Sequence, residues 1–285
     1  MKYTEVLHQR YHLQGFTTDG TYMYWSFTDS LVKTTMSGTV VGQVPTATRT
    51  EHLGGIDYYN GKIYGAAMGN SLAGQPWGMW SSFTVHVYDA ATLAVVDILR
   101  LDDCYEEIRQ RPDGFDGIGC ITAGVDPNTG VDCLMLGCGV VDGPEYASQI
   151  ILQYGFDGRR QNRYVIPTGV ANIGVQNIDR DPETGCYWLT TYRREKPFHN
   201  EETLYCVSPD LTQVTASYVY STPYGLHCLG GGRFYASLQD GVNGHRIGYA
   251  YETDLALIAE ISEKRLGERE MNAVITPLFD QTIGL

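Results

Sequence analysis

Two short phrases put histidine at matching places in this 285-residue chain, HLQGF at 12–16 and HLGGI at 52–56, and a third histidine stands in GLHCL at 225–229. Imidazole titrates near neutral pH and ligates divalent metals. Histidines repeated in this way point to general acid–base chemistry or to a metal centre. GIGCI (117–121) and NIGVQNI (172–178) have the same mixture of small, apolar and polar residues. If all five are strands of one kind, alternation turns the first and third residues of each towards a common space. That space receives His12 and Gln14, His52, Asn172 and Gln176, and His227, with Asp116 just ahead of its strand and Tyr11, Glu51 and Tyr224 beside them. Gly54, Gly117, Gly119, Gly174 and Gly225 are expected to leave room between these side chains.

Several kinds of chemistry suit such a set. Neutral His12, His52 and His227 offer three nitrogen ligands to a divalent metal with a fourth position open. Without a metal, His52 or His227 is a candidate general acid or base, with Asp116 or Glu51 orienting it or acting as the second group. Glycoside hydrolysis needs two carboxylates flanking one bond, and Asp116 with Glu51 or Asp57 is the pair on offer. Gln14, Asn172, Gln176, Tyr11 and Tyr224 are then substrate-binding residues. Two inserts, QPWGMWSSF (75–83) and YRREKPFHN (192–200), bring Trp77, Trp80, Tyr192, Arg193 and Arg194, and aromatics with arginines suit sugars or carboxylated small molecules. The bland alternative is a wet channel whose polar residues hold only water, with inserts that pack on their neighbours.

The elements that would position these residues come from an internal repeat. A glycine ends a polar turn at Gly20, Gly61, Gly130, Gly185 and Gly232. Each is followed by a short strand of β-branched, aromatic or small residues: TYMYWSFT, KIYGAAM, VDCLMLGC, CYWLTTY and RFYASLQ. After a variable loop comes a third strand closed by Asp, Ser or Gly, and then a fourth apolar stretch: TVVGQVP, LAVVDILRL, QNRYVIP, TQVTASYVY and LALIAEI. The high content of Gly (33) and Tyr (21) agrees with many strands and tight turns. The fold class that follows is all-β, a five-bladed β-propeller of four-stranded antiparallel blades in one domain, 1–285. The blades run over about 11–45, 51–101, 117–167, 172–221 and 224–261, and the termini 1–10 and 262–285 close the ring. Six blades, with the termini forming a degenerate unit, is the second arrangement. Only CYEEIRQR (104–111) and AEISEKRLGEREMNAV (259–274) have the composition of helices.

A net charge of -13 argues against nucleic acid or an anionic membrane as partner. No apolar run approaches the ~18 residues of a membrane span. The N-terminal MKYTEVLHQRYHL has no apolar signal core, and seven cysteines is an odd number, so the chain reads as cytoplasmic with reduced, buried thiols, or as secreted if a leader is missing. DPNTG (126–130) and DPETG (181–185) read as Pro-containing turns rather than calcium loops.

The first blade, LQGFTTDGTYMYWSFTDSLVKTTMSGTVV, resembles the opening blade of plant- and bacterial-type glutaminyl cyclases in Gln14, Gly15, Phe16, Tyr24, Ser26, Ser30 and Leu31. The resemblance implies a five-bladed propeller. Later inner strands, GIGCITAG and GVQNIDRD, depart from that family's pattern of acidic residues after glycine-rich phrases, so cyclase activity is not carried over. The expectation is an enzyme acting on a small polar substrate, most naturally a carbohydrate, by hydrolase or lyase chemistry at the propeller axis. A non-catalytic ligand-binding or protein-interaction propeller is the alternative.

Overall fold

The computed structural model describes residues 3–46, 51–69, 80–104, 117–138, 148–169, 172–192 and 202–280. Strand β1 (Tyr3–Gln9) comes first and waits for a partner. Four sheets follow in sequence: β2 (Leu13–Thr18), β3 (Tyr22–Phe27), β4 (Ser30–Thr35), β5 (Val40–Pro45); β6 (Glu51–Tyr59), β7 (Lys62–Gly69), β8 (Ser82–Asp89), β9 (Val95–Arg100); β10 (Ile118–Val125), β11 (Asp132–Cys138), β12 (Gln149–Tyr154), β13 (Arg160–Ile166); and β14 (Asn172–Arg180), β15 (Tyr187–Tyr192), β16 (Leu204–Val207), β17 (Val214–Tyr218). Each is an antiparallel meander of four strands. The fifth sheet has β18 (Leu226–Gly230), β19 (Arg233–Asp240) and β20 (Arg246–Asp254), and its outermost strand is β1. The result is a five-bladed β-propeller.

Packing closes the ring. Five buried hydrophobic clusters each join two neighbouring blades. One runs between the first and second (Leu31, Leu53, Ile63, Tyr88), another between the second and third (Phe83, Val85, Leu134, Leu136). The last brings Val6 and Ala250 of the fifth blade onto Phe16, Met23 and Trp25 of the first. A single twisted sheet cannot bury both its faces, so the ring is what makes the blades stable.

The expected fourth strand LALIAEI is a helix, α1 (Leu255–Glu263). The Asp254 read as a turn signal is its N-cap: the carboxylate accepts from the Leu257 N–H, and good helix formers follow. The helix expected over 259–274 is two helices, α1 and α2 (Glu268–Asp280), parted at 264–267. On α2, Met271, Ile275 and Phe279 are buried on one face, and Phe279 stacks on Tyr3 of β1 at 4.6 Å. Of the helix predicted over 104–111 only Cys104 is among the described residues.

The inner strands carry the feature that sequence alternation could not reveal. β2, β6, β10 and β14 each shift register part-way along, between Leu13 and Gly15, Leu53 and Ile56, Ile118 and Cys120, and Asn172 and Asn177. Such bulges reverse which side chains face the axis beyond them. The glycines do not hold substrate room open. Gly54 and Gly119 let neighbouring backbones touch: a Cβ on Gly119 would stand 2.5 Å from the Val175 carbonyl oxygen.

Candidate functional site

Three layers stack along the axis. Where the inner strands begin, at the mouth, His12 and His52 lie in adjacent blades. The Gln14 amide nitrogen is 3.0 Å from His12 Nδ1 and donates to Thr28 Oγ1 at 3.2 Å, which fixes the first imidazole. The His52 ring is tilted against Trp80 at 5.7 Å between centroids. Across the mouth, Tyr192 meets Tyr224 edge-on at 6.2 Å, and the Tyr224 hydroxyl donates to Glu268 Oε1 at 3.1 Å.

The electrostatics of this layer disfavour positive charge on its histidines. Burial, reinforced by the neighbouring His12, pulls His52 down to about 4. Burial and the Arg246 guanidinium also lower His12, against a smaller opposing effect from the Leu13 backbone. At pH 7 both rings are neutral and able to take a proton. Burial and Glu268 push the Tyr192 phenol up, and burial with Tyr192 and Glu268 does the same to Tyr224. Arg246 acts on both His12 and Tyr224, so the blade-one and blade-five sides of the mouth share one field.

One layer deeper, Asn177 plugs the axis. Its amide donates to the Pro223 carbonyl at 2.7 Å, and its oxygen faces Gly15 and Gly55, where a Cβ would stand 3.3 and 3.2 Å away. Beyond the plug, Thr17, Asp57, Thr122, Asp179 and His227 meet in a buried ring. Asp57 Oδ1 accepts from Thr17 Oγ1 (3.0 Å) and the Tyr58 N–H (2.7 Å), and Oδ2 from Thr122 Oγ1 and the Ala123 N–H (both 2.9 Å). Asp179 Oδ2 is 3.2 Å from His227 Nδ1 and accepts from the Cys228 N–H. Burial and repulsion from Asp179 push Asp57 up to about 6, against His227 and its donors. Burial works against a proton on His227, but Asp179 and Asp57 outweigh it and raise the group above its ordinary value.

The structure therefore does not bring His12, His52 and His227 together. GLHCL aligns with the ends of the other inner strands, not their beginnings, and His227 shares the layer of Asp57 and Asp179, five residues beyond His12 and His52. At ~3.3 Å per residue that is roughly 15 Å. No three-imidazole metal centre can form from these positions. Ligand atoms of Asp57, Asp179 and His227 do lie within 4.8 Å of one another. A carboxylate has about four lone-pair sites, and those of Asp57 are all taken by donors, so Asp57 has none to spare for a divalent ion.

Of the other expected site residues, Gln14, Trp80 and Tyr224 are at the mouth. Gln176 is half-buried within the second bulge of β14, and Tyr11 lies under the Arg10 guanidinium at 4.9 Å. Asp116 and Arg193, with Trp77 and Arg194, lie outside the described residues, as do the side chains of Glu51 and Asn172. Asn177, Asp179, Arg246 and Glu268 went unassigned. The bulges hid the first two; Arg246 opens β20, and Glu268 belongs to a helix outside the repeat.

No family model matches the chain, and no curated protein matches it. Among solved structures it is similar to the Dos1 propeller (9% identity, 84% of this chain and 53% of that one, TM-score 0.41). It is also similar to hydrazine synthase of Kuenenia stuttgartiensis (13%, 80% and 64%, TM-score 0.42) and to a protein of unknown function from Bacteroides caccae (9%, 73% and 81%, TM-score 0.38). The chain thus spans about half of the first and under two thirds of the second. Among the described residues no helix is long and apolar enough to cross a membrane.

Proposed function

We propose that this chain is an enzyme acting on a carbohydrate at the mouth of the propeller axis, by lyase chemistry on a uronate-containing glycan. The observation that carries the reading is the pair of neutral imidazoles, His12 and His52, side by side among aromatic residues, within the field of the Arg246 guanidinium. β-Elimination needs a base to take the proton beside a carboxylate, a cation to stabilise the charge that develops there, and an acid for the leaving oxygen. His52 is the base, Arg246 the cation and Tyr224 the acid; Tyr192 is a wall against which a sugar ring can stack. Hydrolysis needs two flanking carboxylates, and the described mouth residues supply only Glu268.

The test is incubation with a panel of neutral and uronate oligosaccharides, followed by mass spectrometry and ultraviolet absorbance of the unsaturated product. Product from a uronate member, with kcat lowered ~100-fold or more in His52→Gln at unchanged thermal stability, is the expected result. Binding without product on every member overturns the catalytic part of the reading, and absence of binding overturns all of it.

A further inference from the structure

We infer that a groove on the fifth blade, between β19, β20 and α2, is a second glycan-binding site that holds the rest of a chain whose reacting unit lies at the mouth. This rests on the carbohydrate reading above. The groove has a volume of about 640 Å³, within the range of small-molecule sites. Gln239, Tyr249, Glu268, Arg269, Asn272 and Thr276 line it with amide, hydroxyl and charged groups.

Two of these residues join it to the mouth. Glu268 accepts the Tyr224 hydroxyl, and Gln239 Oε1 accepts the Leu13 N–H at 2.7 Å, next to His12. Its oxygen engaged, Gln239 still has an amide NH2 to donate. Asn272 adds the most telling feature: its Oδ1 is buried and takes no hydrogen bond among the described residues. A buried acceptor normally has a partner, and a sugar hydroxyl reaching into the groove would supply one.

The same observations select against a peptide strand. Peptides that bind by strand addition need a free sheet edge, but β19 is paired with β18 and β20, and β20 with β19 and β1. What the groove offers is side-chain hydrogen bonding and one aromatic ring, Tyr249, which is the chemistry of sugar recognition.

The experiment measures affinity by calorimetry for mono- and tetrasaccharides of the same sugar, taken from the panel member that binds. The wild-type chain is expected to bind the tetrasaccharide at least tenfold more tightly. Asn272→Ala and Arg269→Ala, each checked for an unchanged melting temperature, should each weaken the tetrasaccharide by about fivefold and leave the monosaccharide unaffected. Equal affinity for both lengths, or a tetrasaccharide indifferent to both substitutions, overturns the groove while the mouth survives. If neither length of any panel sugar binds, both fall together.

Discussion

His52 and His227 are both histidines of inner strands, yet they end in opposite electrostatic states. His52, at the mouth, meets burial and another imidazole and is held neutral. His227, beyond the Asn177 plug, meets burial and two carboxylates, and the carboxylates raise it above its ordinary value. Residue type and strand role are shared, so the difference comes from the layer each occupies. A layer with few compensating charges leaves a side chain available for chemistry. One in which every acceptor is engaged ties blades together. The mouth is the place to look for turnover, and the ring for stability.

The sharpest way to break this comparison is to remove the ring's central acceptor. Asp57→Ala leaves two hydroxyls and two backbone N–H groups short of a partner, and should cost about 3–5 kcal/mol in urea denaturation. A loss under about 1 kcal/mol would mean that the ring is not what joins the first three blades.

Acidification sharpens it further, because the two ends respond with opposite sign. His52 has a folded value of about 4 against an ordinary 6.5, so the stability it allows is present above pH 6.5 and is lost as pH falls towards 4, by up to about 3 kcal/mol. His12 acts in the same sense. Asp57 has a folded value of about 6 against an ordinary 3.8, so the folded state takes up its proton first and gains up to about 3 kcal/mol as pH falls from 6 to 3.8. The raised His227 extends that trend upward, with stability lost as pH rises above 6.5. Wild-type stability should be nearly flat between pH 6 and 4, rising on acidification in His52→Gln and falling in Asp57→Asn. Parallel slopes in the two variants would show that the two ends are not electrostatically distinct.

The smallest effect concerns the part of the fifth blade outside the repeat. Asp254→Ala removes the N-cap of α1 and should lower stability by about 1 kcal/mol, read as a shift in urea midpoint. No shift would show that packing of Ile258 and Ile261, rather than the cap, decides this helix.

The ring of sheets could be read from the chain because turn glycines and strand composition recur five times, and both are local signals. The site could be read only in part. His12, His52 and Tyr224 precede the bulges or flank the strands, and Gln14 sits at the bulge of β2, so alternation served up to that point. Asp57 and Asn177 lie past a register shift that is set by neighbouring backbones touching at Gly54 and Gly119, a contact between blades that no local pattern encodes. His227 was misaligned because GLHCL resembles HLGGI in letters, while its pairing with Tyr235 sets it level with Asp57, which pairs with Tyr64.

The seating of β1 beside β20 has a consequence for synthesis. Tyr3 pairs with Tyr251, so β1 cannot find its partner until the four intervening sheets and β20 have been made. Until then β1, with Val6 destined for full burial, has nowhere to dock. Joining segments this far apart in sequence is slow and entropically demanding. This seam is thus open to misassociation until β20 emerges, and α2, through Phe279 on Tyr3, packs over it afterwards.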